Sequence, residues 1–572
     1  MKKKLAKVLV GAMLVSLSIP VLSGCGSSDA DVVMKGTIYT ADKDGTIAEA
    51  VAVKDGKITY VGAAAGVDEM IGSKTDVIEL GDGMAMPGFV EAHAHGHEGG
   101  VSNLFEVNLY GGTTVKEYQK AVKDFIEEHA DREFILGTGW ENGYLPSNGN
   151  YAAMLDEVNK DLPIVLVSQD HHSYWVNSKA MEMMKVDQNT KDVEGGVITR
   201  DQNGNPTGLF RENAKSLAET IIPDYTVEEF KEGILEYQKE VASYGITTYW
   251  EPMVNTKTNL LEAYSQLDAD GELLLKVYAG YCINETDNNG DPVGMLDEVE
   301  KAIKDNEGGD FEINGIKLFA DGVVEGHTTY LLDEYADEPG VTGEGLWTEE
   351  GMKEFVTAAD ARGITCHTHA IGDAAVKLTL NAYEAAKEAN PDSKVRHAIT
   401  HLQVVSDEDI QRLADLNVIA VTNPYWFCKE PGYYEELEVP YLGEERASNE
   451  YPMKDFFDAG AVVTVASDYP VTVPSMPLGA IQTGVTRCDR TGNPDTLLGA
   501  DQRVTVEQML KAATYNGAYQ NYAEQTKGSI EVGKDADMVV LGQNILECDP
   551  FAIGETEVLK TFRDGKAIYE AK

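Results

Sequence analysis

The segment Met86-Pro87-Gly88-Phe89-Val90-Glu91-Ala92-His93-Ala94-His95 places two imidazoles two residues apart. Side chains alternate along a strand, so His93 and His95 point the same way and form half of a divalent-cation site. Four residues further along have matching chemistry. Lys317 lies inside the apolar run Ile316-Lys317-Leu318-Phe319, where an amine is costly unless paired or chemically used. His369 follows Ile364-Thr365-Cys366-His367-Thr368, His401 follows Ala398-Ile399-Thr400, and Asp468 ends Val462-Val463-Thr464-Val465-Ala466-Ser467. Each alone has a bland explanation: a hydrogen-bonded core histidine, a helix N-cap, a lysine reaching out to solvent. All six stand at the ends of predicted strands. In a barrel those ends carry catalysis, so the set could hold a cation and activate water.

The elements that must position them alternate. Strand-like runs include 164–167, 246–249, 274–278, 315–319, 363–367, 418–421 and 462–466, with helix-like stretches such as 348–362 and 371–389 between them. That alternation predicts an α/β fold with a parallel sheet. A closed (β/α)8 TIM barrel over about 88–519 is favoured over an open dinucleotide fold, because no G-x-G-x-x-G follows a strand. Residues 110–240 exceed one βα unit and predict an insertion. The segments 32–87 and 520–572 alternate apolar and polar residues, with Asp55-Gly56 and Asp564-Gly565 as turn signals. They predict a small β-sandwich domain built from both chain ends.

The formal net charge is −49 over 572 residues, which opposes binding to nucleic acid. Lys2, Lys3 and Lys4 precede an apolar stretch at 8–22 and then Leu22-Ser23-Gly24-Cys25. This predicts a signal peptide over 1–24. It is similar to the lipobox of bacterial lipoproteins, which implies lipidation at Cys25, a tether over 25–31 and an extracytoplasmic, membrane-anchored protein. The other five cysteines form no C-x-x-C pair and read as small buried residues.

Several stretches together resemble the metal-dependent amidohydrolase superfamily, in the amidohydrolase family 3 branch that contains N-substituted formamide deformylase. They are 86–95, 165–180, 195–201 with 206–212, 315–322, His369-Ala370-Ile371-Gly372-Asp373 and Ser467-Asp468-Tyr469-Pro470-Val471. The resemblance implies one or two divalent metal ions, usually zinc, held by His93, His95, Lys317, His369, His401 and Asp468. It also implies carboxylation of Lys317 where two metals are present. The chain departs from the branch at 323–329, at Thr400 in place of a glutamate, and at Glu251 where an aspartate is frequent.

The expected activity is hydrolysis of a carbon–nitrogen bond in a small amide or formamide. Asp468 is the expected general base, and His401 the group that orients the carbonyl. His172, Trp140 and Arg211, in matching segments, and His327, ten residues after Lys317, are substrate-side candidates. A deaminase or cyclic amidohydrolase is the alternative within the superfamily. A solute-binding lipoprotein is the alternative of another class. A homodimer is compatible with all three.

Overall fold

The computed structural model describes residues 29–572 except 170, 171 and 194. Cys25 and the leader segment therefore lie outside the described residues. Eight strands form the central sheet: β1 (Phe89–Glu91), β2 (Ile246–Glu251), β3 (Lys276–Cys282), β4 (Phe311–Phe319), β5 (Thr365–Ala370), β6 (Ala398–His401), β7 (Ile419–Thr422) and β8 (Val462–Val465). Neighbours pair in parallel from β1 through to β8. The ring closes where Ala92 N donates to Val465 O (3.1 Å) and Asp468 N to His93 O (2.9 Å). The (β/α)8 barrel is thus present. Its closing bonds fall beside His93 and Asp468, so the seam of the barrel is also part of the site.

Between β1 and β2 a second, six-stranded sheet is inserted, running from Val107–Asn108 to Pro206–Glu212. The run at 164–167 belongs here, as Ile164–Ser168, and is not a barrel strand. Both sheets bury Val, Ile and Leu on both faces, so local composition does not tell them apart. The two chain ends share one seven-stranded sheet, in which Val32–Tyr39 runs parallel to Asp76–Pro87 and the other pairings are antiparallel. Asp55-Gly56 and Asp564-Gly565 both have positive φ at each residue, as a two-residue hairpin turn requires.

The helix that follows the paired histidines, α1 (Gly96–Phe105), packs against α2 (Val227–Ala242) through backbone. A Cβ on Gly100 would lie 2.0 Å from Gly233 O. Because that neighbour is main chain, it cannot swing aside. Gly100→Ala is expected to cost about 1–3 kcal/mol, the usual price of overpacking. The thermal midpoint reads this directly, and an unchanged midpoint would show that α1 can shift freely.

Candidate metal centre

The strands bring the six separated residues to one end of the barrel. Register places Lys317 beside His367, and His369 beside both Phe319 and Thr400. His93 Nε2 and His95 Nε2 each lie 3.4 Å from Asp468 Oδ1. Lys317 Nζ is 3.3 Å from His93 Nε2. Ligand atoms of His93, His401 and Asp468 all lie within 4.8 Å of one another. The His369 ring stands 4.6 Å from that of His401, edge to face.

The remaining ring nitrogens show which lone pairs are free. His401 Nδ1 pairs with Asn423 Oδ1 (3.0 Å), which leaves Nε2 to face the cluster. His369 Nε2 pairs with Gly322 O (3.0 Å), which leaves Nδ1. His93 Nδ1 pairs with His367 Nε2 (3.0 Å), which leaves the Nε2 that faces Lys317 and Asp468. His95 Nδ1 is buried without a hydrogen-bond partner. Metal-binding histidines share this habit of using the second nitrogen to fix the first.

Electrostatics favour a ligand set. Burial, then Lys317 and the neighbouring imidazoles, hold His93 well below the usual histidine range, so its lone pair is available. Burial and the His401 and Lys317 charges do the same for His369. His401 is pushed down to about 4, chiefly by burial. Burial opposes ionisation of Asp468, but its hydrogen bond to His95 and the charges of His401, His95 and Lys317 hold its carboxyl below the ordinary range. Lys317, 1% exposed, is lowered to about 8 by burial, which brings its neutral amine within reach of physiological pH. For His95 burial is outweighed by the hydrogen bond to Asp468 and the nearby carboxylate charges, which raise it above the usual histidine range. The low imidazoles of His93, His369 and His401, an ionised carboxylate and a readily deprotonated amine form an N/O donor set that suits a divalent ion.

Three buried acids, none among the six, hold the frame. Glu91 accepts from His93 N (3.0 Å) and from Ser467 N (3.0 and 3.1 Å), tying the two sides of the seam together. Burial pushes its carboxyl up to about 7. Asp321 accepts from the N–H groups of Tyr330, Ile371 and Gly372, each at 3.0 Å, and stands 3.7 Å from His369 Nε2. Glu251, at the end of β2, lies 3.2 Å from His97 Nδ1 and accepts from Tyr264 OH (2.9 Å). The glutamate noted as a departure is therefore an anchor for the loop that follows His95. Acids that act through backbone N–H groups leave little trace in sequence, which explains why Glu91 and Asp321 were not foreseen.

Trp140 is corrected. Expected at the substrate mouth, it is fully buried in the inserted sheet, its Nε1 donating to Leu166 O (2.9 Å) and its ring edge-on to Trp175. With the polar tip satisfied and the ring enclosed, it is a core residue. His172 is exposed, with Nδ1 2.9 Å from Glu212 Oε2, and Arg211 is exposed on the neighbouring strand. His327 pairs through Nε2 with Asp337 (3.0 Å) and packs on Tyr335 and Tyr441. Trp426, unforeseen, stacks over His401 at 5.6 Å and donates to Thr472 Oγ1 (2.9 Å). Phe319 stands 5.2 Å from His369.

A parallel barrel with clustered histidines, aspartate and lysine at its strand ends defines a metal-dependent hydrolase. The chain belongs to the amidohydrolase family, whose model matches residues 76–569. It is 28% identical to a putative amidohydrolase, YtcJ, of Bacillus subtilis, over 94% of this chain and 98% of that protein. It is 26% identical to N-substituted formamide deformylase of Arthrobacter pascens, again over 94% and 98%. Among solved structures it is similar to an uncharacterized metal-dependent hydrolase from Pyrococcus furiosus. That match has a TM-score of 0.73 and 25% identity, and it covers 90% of this chain and all of the other.

Proposed function

We propose that this protein hydrolyses the carbon–nitrogen bond of a small amide or N-substituted formamide. The observation that carries the proposal is the position of Asp468, with Oδ1 3.4 Å from the Nε2 atoms of both His93 and His95. The relative that acts on N-substituted formamides supports the bond type. A divalent cation, for which zinc suits the donor set, supplies charge to polarise a carbonyl and to acidify a water when bound. His93, His95, Lys317, His369, His401 and Asp468 would hold it.

The chain's own groups do the rest. Asp468, ionised and buried beside the paired histidines, accepts a proton from the attacking water and returns it to the departing nitrogen. His401, kept neutral and fixed through Nδ1 by Asn423, offers its Nε2 lone pair to the cation site against which the carbonyl would be oriented. Trp426 and Phe319 set aromatic surface against His401 and His369 respectively, and Val471 and Val473 are 69% and 66% exposed on the segment that Trp426 holds. Those surfaces suit an uncharged, apolar substituent on nitrogen. His327, on the loop that follows β4 and paired with Asp337, is proposed for the substrate side. The neutral Lys317 amine is the form that adds to carbon dioxide and, on losing a proton, becomes a carbamate with oxygen donors.

Cys25 and the segment before it support an extracytoplasmic, lipid-anchored placement. Among the described residues no helix is long and apolar enough to cross a membrane. The direct test of the activity uses protein lacking residues 1–24, loaded with zinc and offered N-formyl and N-acyl amines. Release of acid and amine that stops on chelation is expected. Hydrolysis that survives chelation, or none across the panel after zinc loading, would contradict the proposal.

A further inference from the structure

His367 is outside the six residues yet touches their centre. It is 1% exposed, and its Nε2 lies 3.0 Å from His93 Nδ1. Its ring stacks on Trp250, with centroids 4.2 Å apart and planes 11° apart. Trp250 is itself fixed, since its Nε1 donates to Asn314 Oδ1 (2.9 Å) and Asn314 in turn donates to Asn521 (3.0 Å). The imidazole of His367 therefore cannot turn away from His93 without breaking a stacked and hydrogen-bonded chain.

That contact decides how His93 presents itself. His93 Nε2 faces Lys317 and Asp468, so it is the nitrogen that offers a lone pair to a cation. A neutral imidazole with a free Nε2 carries its proton on Nδ1. The group placed to accept that proton is His367 Nε2.

We propose that His367 is a positioning residue: it accepts the Nδ1 proton of His93 and thereby aims the His93 Nε2 lone pair at the metal. This rests on the metal-dependent reading of the site. The more usual partner behind a metal-binding histidine is a carboxylate or a backbone carbonyl. An imidazole holds the tautomer equally but adds no negative charge behind the ligand, so the cation keeps more of its own charge for the substrate carbonyl.

Three variants separate the role from packing. His367→Phe keeps the ring on Trp250 and removes the acceptor. His367→Gln restores an acceptor without the ring. His367→Leu provides neither. Zinc affinity is read by competition with a chromophoric chelator, and the metal-free melting temperature is read alongside. The expected loss for His367→Phe is about 10–100-fold in affinity, as for other outer partners of a metal ligand. Its metal-free melting temperature should fall by no more than one unpaired buried donor costs, and His367→Gln should recover most of the affinity. Parental affinity in His367→Phe, or equal loss in Gln and Phe variants, would overturn the proposal.

Should the variants not fold, the unaltered zinc-loaded protein still decides the matter by nitrogen-15 shifts of its histidines. A protonated His93 Nδ1 facing an unprotonated His367 Nε2 is expected, and a proton on His367 Nε2 would overturn it. Failure of the unaltered protein to take up zinc at all would instead remove the functional reading, and this proposal with it.

Discussion

Asp468→Asn should abolish most turnover while leaving the protein folded and able to take up metal. The substitution keeps shape and one acceptor oxygen but removes the negative charge and the ability to hold a proton. Asp468 N donates to His93 O (2.9 Å) through backbone, so the seam of the barrel is not disturbed. The expected fall in kcat is about 10²–10⁴-fold, the range for loss of a general base. Metal content is measured beside kcat, because the carboxylate is also within reach of the cation site. A variant that keeps metal and loses turnover supports the base role. Near-parental turnover removes Asp468 from it.

Lys317→Met should move stability and activity in opposite directions. The amine lies 1% exposed in β4, and burial lowers its pKa from 10.5 to about 8. Below pH 8 both folded and unfolded states are protonated, so the whole cost of burying the charge is present. Between pH 8 and 10.5 the folded protein has lost the proton while the unfolded chain still holds it, and the cost fades. Methionine of similar length carries no charge, so the metal-free variant should be more stable than the parent at pH 7, by about 3 kcal/mol. The gain should shrink steadily toward pH 10.5. Activity should nonetheless fall beyond the roughly 10–100-fold typical of outer partners, because the variant lacks the donor to the metal proposed for Lys317. Thermal melts of metal-free protein at pH 7 and pH 9.5, with kcat of the loaded protein, test both halves. A variant less stable at pH 7 would mean that the lysine is a structural support.

The contrast between these residues explains what could be read in the amino-acid order. His93 and His95 were legible because a strand repeats every two residues, and Lys317 because an amine inside an apolar run is anomalous. His369, His401 and Asp468 were legible by their places at strand ends, which a barrel gathers on one rim. The same period sets His367 on the face of His369 but does not reveal that it meets His93, since β5 and β1 are not neighbours in the sheet. Residues 164–168 read equally well as a barrel strand and as part of the inserted sheet, because apolar β-branched runs do not say which partner they pair with. Trp140 was misplaced for a related reason. A tryptophan can line a mouth or fill a core, and only the Leu166 carbonyl that meets its N–H decides between them. Glu91 lies in the most informative segment of the chain, yet its work is done on two backbone N–H groups that are more than 370 residues apart.

The claim on which all of this depends is that the strand-end cluster binds a divalent cation. Elemental analysis of the purified protein, beside a His93→Ala, His401→Ala double variant, tests it most directly. One or two equivalents of divalent metal per chain in the parent, with a sharp loss in the double variant, is the predicted result. Equal metal content in the two proteins, or a metal-free parent that cannot be loaded with zinc, would contradict it.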